Sequence, residues 1–283
     1  MVVRFGSGSG LSRKPTEFSI NRDSAQAQGL VAWWPFSQGK LAAESSMSNK
    51  NNGVLTNGCS VVASVGGLNG VCSQYDGDDD FVELGSIASG NPLMLNGSAL
   101  TISAWVNKTS GGDIYQRIVD KSSAGNGTNG YGMWIHAQRV GYSVSGNSTR
   151  TDSSTSLPSY SVWHHVVGAA DASGNINIYM NAILEADTYY GGGSAAAPPD
   201  ATANMRIGSW NHSTGREWGG SLDDVRIYNR QLTASEVWNL FDPSSRFDLY
   251  WTRHRVYSLA PKTAVSSDGS AMYHHLQQLG AYA

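Results

Sequence analysis

Apolar and polar residues alternate in short runs through most of the chain between residues 29 and 242. The clearest run is Leu100–Val106, in which every second residue starting from Leu100 is apolar and faces one side, while Trp105 faces the other. About a dozen such runs, divided by turns rich in Gly, Asn and Ser, are typical of an all-β protein. The pattern predicts a jelly-roll sandwich of two antiparallel sheets, each with one face in water.

One segment has helical spacing instead. Thr233 and Glu236 stand three residues apart in a capping-box pattern, in which each side chain bonds the other residue's backbone N–H. Apolar residues follow at helical intervals as far as Phe241, and Pro243 ends the pattern. We expect one short helix after the last strand, packed against an edge of the sandwich.

The composition divides the chain into three zones. Residues 1–28 are polar and rich in Gly and Ser, residues 29–242 carry the alternation, and residues 243–283 lack regular periodicity but are rich in Arg, His and Tyr. The outer zones have no apolar core of their own. They are predicted to be extended arms on either side of a single jelly-roll domain.

Charge and apolar content exclude several classes of protein. The net charge of -3 and pI near 6.1 provide no basic field for nucleic acid or an anionic membrane. The longest near-apolar run, Leu30–Phe36, falls far short of the roughly 20 residues that span a bilayer. The first residues lack the apolar stretch of a secretion signal, so we expect synthesis in the cytoplasm. Cys59 and Cys72 are interpreted as buried free thiols, or as a bridge if their strands are neighbours.

Eight segments, taken in order, carry a family resemblance: Gly29–Phe36, Asn51–Leu55, Tyr75–Leu84, Leu100–Val106, Trp163–Val167, Gly174–Asn181, Arg206–Gly208 and Gly220–Glu236. Together they resemble the laminin G-like, concanavalin A-type jelly roll. The resemblance implies that sandwich for residues 29–242, in the form common in bacterial and viral proteins.

The segment Arg246–Tyr257 is similar to tails that follow this domain in bacteriophage proteins. That resemblance implies a virion protein whose arms attach to major capsid or tail subunits, or to further copies of itself. The segment is rich in Arg and aromatic residues, the types enriched at interface hot spots. An alternative is a final strand that packs on the same domain. The predicted assembly contacts are Tyr250, Trp251, Arg253, Arg255 and Tyr257.

The loop Ser209–Trp218 is the predicted glycan site. Aromatic faces stack on the C–H surfaces of sugars, and planar polar side chains bind hydroxyl groups. An alternative for Trp218 is a core position, since it leads into the closing strand. The predicted ligand-binding residues are Trp210, Asn211, His212, Arg216 and Trp218, with a cell-surface glycan as the partner.

The resemblance also implies structural Ca²⁺, which takes loop oxygen ligands in loose geometry. The candidate ligands are Glu44 and Asp223, with Asp224 as an alternative to Asp223. Asp223 has a second interpretation, in which it caps a turn or pairs with Arg206 or Arg226.

A second acidic cluster consists of Asp76 and Asp78–Asp80. Its carboxylates repel one another unless water or a cation separates them. The sequence leaves both interpretations open, a hairpin tip in solvent or a cation site.

Catalytic patterns are missing from the sequence. Glycosidases of this fold carry paired carboxylates on one strand, whereas Glu83 and Glu217 are isolated. We therefore predict a non-enzymatic virion protein, a capsid decoration or tail-surface subunit that displays a glycan-binding domain on the particle. One alternative is a secreted or cell-surface bacterial adhesin. Another is a sugar-cleaving enzyme with an atypical site.

Overall fold

A computed structural model describes residues 19–36, 42–43, 51–64, 68, 70–95, 99–109, 115–122, 130–144, 150–153, 156–157, 159–190, 203–211 and 215–251. A short 3₁₀ turn covers Ala25–Ala27, and one α-helix, α1, covers Ala234–Phe241. The strands are β1 (Ser19–Ile20), β2 (Leu30–Trp34), β3 (Ala42–Ala43), β4 (Gly53–Thr56), β5 (Ser60–Ala63), β6 (Val71–Asp76), β7 (Phe81–Ile87), β8 (Leu100–Lys108), β9 (Gln116–Lys121), β10 (Tyr131–His136), β11 (Arg139–Val144), β12 (Arg150–Ser153), β13 (Trp163–Ala170), β14 (Ile176–Met180), β15 (Ile183–Leu184), β16 (Asp187–Tyr190), β17 (Ala203–Ile207), β18 (Gly219–Tyr228) and β19 (Tyr250–Trp251).

The strands form two large antiparallel sheets and one small ribbon. The nine-stranded sheet has the order β16-β12-β11-β10-β9-β17-β7-β4-β3. The eight-stranded sheet has the order β15-β14-β13-β8-β18-β6-β5, and β2 also pairs with β18. The ribbon joins β1 to β19. The predicted all-β jelly-roll sandwich is therefore confirmed.

The main core lies between the two sheets. Alternate residues of β8, from Leu100 to Val106, belong to this core, and Trp105 belongs to a second cluster on the opposite face. Trp34 and Trp33 are divided in the same way, with Trp34 inward and Trp33 outward. The alternation read from the sequence therefore assigns the faces of β8 correctly, because successive side chains of a strand point to opposite sides.

Helix α1 begins as its capping box predicts. The Glu236 N–H donates to Thr233 Oγ1 at 3.3 Å, and the Thr233 N–H donates to Glu236 Oε2 at 2.9 Å. Val237 and Leu240 are buried in the same outer cluster as Trp105. The expected position at a sheet edge is therefore wrong, since the helix covers the outer face of the eight-stranded sheet. The sequence predicts that this face lies in water, and that prediction is also wrong, because the outer cluster covers it. Among the described residues, no helix has the length and apolar character needed to cross a membrane.

Both terminal zones contribute to this cover. Phe247 and Tyr250 are buried in the outer cluster, and β1 pairs with β19 in the register Ser19↔Trp251. The predicted arm boundaries are therefore wrong for residues 19–28 and 243–251, which pack on the sandwich. The compact unit extends to Thr252.

Two of the five predicted assembly contacts fall within the described chain, and they form its final strand. Tyr250 is 1% exposed, with its ring 4.6 Å from that of Trp33 in an edge-to-face contact. Its prediction as an assembly contact is wrong, because a buried ring offers no surface to a partner. Trp251 lies in β19, whereas Arg253, Arg255 and Tyr257 lie outside the described residues.

A buried carboxylate joins these terminal segments to the sheet. The pairing of β18 with β8 shifts between Asp223 and Arg226, and Asp224 has φ +50° in this bulge. Asp224 Oδ1 accepts hydrogen bonds from the Trp33 indole at 2.5 Å and from the Tyr250 hydroxyl at 3.2 Å. Asp224 Oδ2 accepts from Arg226 Nη2 at 2.7 Å. The bulge therefore aims one carboxylate at β2, β18 and β19 together.

Arg226 extends the network to the first described segment. Its Nη1 donates to Gln26 Oε1 at 2.7 Å, and Gln26 Nε2 donates to the carbonyls of Asn239 and Ser245. Burial by itself lowers the pKa of Arg226, but the Asp224 carboxylate outweighs it and raises that pKa above its ordinary value. The Arg226 guanidinium therefore keeps its charge in the folded state, where its hydrogen bonds connect β18 to the 3₁₀ turn and, through Gln26, to helix α1.

The two cysteines are both buried and both free. This confirms the interpretation of buried thiols over a bridge. Burial, and then the nearby Asp80 carboxylate, raises the pKa of Cys59 to about 12. The thiol is therefore protonated at neutral pH and a weak nucleophile.

We expect Asp224→Asn to lower the free energy of unfolding by about 3–5 kcal/mol, because it leaves the Arg226 charge buried without its carboxylate. Urea unfolding measures the change. The control is Glu83→Gln, which breaks the partly exposed pair of Glu83 with Arg206 and should cost about 1 kcal/mol or less. Equal losses in the two variants would contradict the role assigned to Asp224.

Candidate functional site

The loop between β17 and β18 is closed at its base by a backbone hydrogen bond. The Trp218 N–H donates to the Gly208 carbonyl at 2.7 Å. Gly208 has φ +86°, and a Cβ there would lie 2.3 Å from the Tyr75 ring. Only glycine fits this turn, and the contact with Tyr75 fixes where the loop leaves the sheet.

Trp218 anchors this loop from the inside. Its side chain is 0% exposed and packs between the two sheets. The prediction that Trp218 binds a ligand is wrong, because no face of the ring reaches solvent. Its alternative interpretation as a core residue is correct, and the buried ring holds the loop in place.

Trp210 and Arg216 meet at the surface of the loop. The guanidinium carbon of Arg216 lies 4.0 Å from the centre of the Trp210 ring, and both residues are partly exposed. The Trp210 carbonyl accepts a hydrogen bond from Arg206 Nη1 at 3.2 Å. The Arg117 N–H of β9 donates to the Arg216 carbonyl at 3.0 Å. Both halves of the loop are therefore fixed to the nine-stranded sheet.

Asn211 connects the loop to neighbouring backbone by two hydrogen bonds. Its Nδ2 donates to the Ser122 carbonyl at 2.9 Å and to the Asn204 carbonyl at 2.5 Å. Both amide hydrogens therefore serve the fold and are not available to a sugar hydroxyl. His212 lies outside the described residues.

The contact between Trp210 and Arg216 continues across the nine-stranded sheet. Arg216 lies 5.1 Å from the centre of the Tyr115 ring, and the Tyr115 ring stacks on His136 at 4.1 Å with an interplanar angle of 8°. Arg139 is the β-ladder partner of His136, so their side chains share a face. All five residues are partly exposed. We call Trp210, Arg216, Tyr115, His136 and Arg139 the cation–aromatic row.

A buried layer supports the row. The Arg117 guanidinium lies 4.4 Å from the centre of the Trp134 ring and 3.5 Å from the Asp120 carboxylate. All three side chains are at most 1% exposed. Trp134 lies flat over Gly141, where a Cβ would come within 2.1 Å of its indole nitrogen. The row therefore rests on a packed layer that resists deformation.

The loop residues of the row were predicted from sequence, but Tyr115, His136 and Arg139 were not. They come from three different chain segments and become neighbours only through the pairing of β9, β10 and β11. One signal was present, since apolar residues alternate along β10 and place His136 on the face opposite the core. Nothing in the sequence specifies which strands flank it.

The predicted metal ligands are not brought together in the described chain. Glu44 lies outside it, and Asp223 is 0% exposed in the β18 bulge, where its Oδ1 accepts from the Asp224 N–H at 2.8 Å. Of the arginines considered as partners for Asp223, Arg226 pairs with Asp224 and Arg206 pairs with a glutamate. The shared site of Glu44 and Asp223 stays a prediction.

An acidic triad could hold a metal ion elsewhere. One carboxylate oxygen from each of Asp76, Asp79 and Asp80 lies within 4.8 Å of the others. The triad lies at a crossover between sheets, since β6 and β7 belong to different sheets, and so it is not at a hairpin tip.

The triad combines a fixed member with two exposed ones. Asp80 is held by the N–H groups of Gly58 at 2.5 Å and Asp76 at 2.9 Å. Partial desolvation, together with the charges of Asp76, Asp78 and Asp80, raises the pKa of Asp79. The carboxylates therefore repel one another, and a cation would relieve that repulsion.

The sequence and the fold both have known relatives. Residues 76–238 match the laminin G family model described as "Concanavalin A-like lectin/glucanases superfamily". No curated protein sequence matches the chain.

Solved structures share the fold at low sequence identity. Domain 4 of AbnA, a GH43 extracellular arabinanase from Geobacillus stearothermophilus, was solved with arabinotriose; it is 18% identical with a TM-score of 0.55, over 75% of this chain and 98% of that one. The binding domain of Paraclostridial Mosquitocidal Protein 1 is 15% identical with a TM-score of 0.59, over 77% of this chain and 52% of that one. A Trypanosoma rangeli sialidase, solved with sialic acid, is 14% identical with a TM-score of 0.54, over 75% of this chain and 32% of that one. The match over residues 76–238 establishes that this chain belongs to the concanavalin A-like lectin/glucanases superfamily.

Proposed function

We propose that this chain is a non-enzymatic carbohydrate-binding protein and that the cation–aromatic row is its glycan site. The observation that carries the proposal is the stacking of Trp210, Arg216, Tyr115 and His136 across one face of the nine-stranded sheet. Partly exposed aromatic rings and planar nitrogen donors alternate along this row. These are the side-chain types that contact the C–H surfaces and hydroxyl groups of sugars.

Among the described residues, the carboxylates near the row favour binding over hydrolysis. Glu83 accepts from Arg206 Nε at 2.8 Å, and Glu217 accepts from the Gly215 N–H at 2.7 Å. Asp152 Oδ2 lies 3.3 Å from His136 Nδ1. Glycoside hydrolysis needs two carboxyl groups on either side of the bond to be cleaved. Here each group already has a structural partner.

We expect Trp210→Ala to weaken glycan binding at least tenfold, or about 1.4 kcal/mol, because it removes an aromatic ring of the proposed site and the support of that ring for Arg216. A glycan array followed by calorimetry on the best ligand measures the loss. The matched control is Trp238→Ala, since Trp238 is 52% exposed on helix α1, over the other sheet. Equal binding by the wild type and Trp210→Ala would contradict the site.

We further propose that the chain is a bacteriophage virion protein, displayed on the capsid or tail. Strands β1 and β19 lie on the covered face of the eight-stranded sheet, residues 1–18 precede β1 and residues 252–283 follow β19 in the sequence, and the row is on the other sheet. A subunit fastened through those residues would present its row outward. Many copies on one particle raise avidity by about 10²–10⁴, so a shallow site is sufficient.

We expect an antibody against the chain to detect it in purified bacteriophage particles. A chain that ends at Thr252 should keep its melting temperature but fail to attach to particles, while full-length Trp210→Ala should attach normally. Detection at a bacterial surface and not in particles would favour the cell-surface adhesin instead. Attachment by the shortened chain would show that residues 253–283 are not the tether.

We also propose that the triad of Asp76, Asp79 and Asp80 binds structural Ca²⁺. Its three carboxylates offer the hard oxygen ligands that Ca²⁺ takes in loose geometry. The ion would bridge the crossover between β6 and β7 and so stabilise the junction of the two sheets.

Calcium at 100 times its dissociation constant should add about 2.7 kcal/mol to the free energy of unfolding, seen as a higher melting temperature that EDTA reverses. Asp79→Asn should abolish the shift. Asp78→Asn is the control, because Asp78 is a neighbour outside the triad. The same melting temperature in calcium and in EDTA would contradict the proposed calcium site.

A further inference from the structure

The cation–aromatic row contains positively charged side chains, although the net charge of the whole chain is negative. The chain carries a net charge of -3, yet the row includes the guanidinium groups of Arg139 and Arg216. Arg139 is partly exposed beside His136, and no carboxylate of the described residues lies within ion-pair distance of it. Partly exposed guanidinium groups on one face of a sheet can attract an anionic ligand to that face.

Among the described residues, two carboxylates adjoin the row, and both are buried. Asp152 is 1% exposed and lies against His136. Glu217 is 4% exposed and accepts the Gly215 N–H. Of the described groups, the partly exposed Arg216, Arg139 and His136 therefore offer more surface to a ligand on the row than either carboxylate does.

The row also holds one guanidinium in a defined position. Arg216 lies between the rings of Trp210 and Tyr115, at 4.0 and 5.1 Å from their centres. A guanidinium presents planar paired N–H donors that match the two oxygens of a carboxylate. Contacts that restrict a side chain before binding lower the entropy lost on binding.

We propose that the row binds an acidic saccharide, one whose sugar rings carry a carboxylate. The aromatic members would hold the ring faces, and Arg216 and Arg139 would bind the carboxylate. This inference rests on the proposed glycan site and adds the chemical class of its ligand.

The test uses pairs of saccharides that differ in the carboxylate: an oligogalacturonate against its methyl ester, and 3′-sialyllactose against lactose. Calorimetry at low salt should show at least tenfold tighter binding of the acidic member in one pair or both. The difference should shrink at high salt, because ions screen exposed charges. Arg139→Gln and Arg216→Gln should each reduce the preference for the acidic saccharide to less than threefold. Arg22→Gln, a change at an exposed arginine near β1, should leave it intact.

Equal binding of both members of each pair, with Trp210→Ala still weakening both, would overturn the acidic ligand and leave the glycan site standing. Failure of both acidic saccharides to bind would also overturn this inference. The glycan array would then decide the proposed function separately. An acidic preference that survives both Arg139→Gln and Arg216→Gln would show that other groups supply it.

Discussion

The Asp224 carboxylate is the interaction on which the arrangement of this chain depends. It is almost fully buried, and it accepts hydrogen bonds from Trp33, Arg226 and Tyr250, which lie on three different strands. A buried charge is tolerated only when it is paired and hydrogen-bonded, so these groups must assemble together. Asp224 therefore links the closing strand of the sheet to β2 and to the C-terminal segment that packs on it.

The two faces of the sandwich differ as a result. Helix α1 and β19 cover the outer face of the eight-stranded sheet, so that face holds a second apolar cluster instead of water. The nine-stranded sheet carries the cation–aromatic row over a buried polar layer centred on Arg117 and Trp134. In the proposed function, the terminal residues on the side of the first face attach the protein to the particle, and the row on the second face binds the glycan.

The predictable features were local ones. The alternation in Leu100–Val106 and the capping box at Thr233 depend on residues close in sequence, and both are found in the structure. The β18 bulge was not predictable, because it lies where β18 changes partner from β6 to β2, and that change depends on residues far apart in the sequence. Tyr250 was misassigned for a related reason, since arginine and aromatic residues are typical of interfaces but also of a strand that closes over a buried carboxylate.

The candidate site also contains some residues that local sequence predicts and others that depend on strand pairing. Trp210 and Arg216 share a loop rich in ligand-binding residue types, so composition could find them. Tyr115 and His136 join them only through strand order, which the sequence does not encode in any short motif.

A crystal structure with a bound oligosaccharide tests the proposed glycan site most directly. The account predicts a sugar ring against Trp210 with a polar group at Arg216. A saccharide bound only over helix α1, with the row empty, would contradict it.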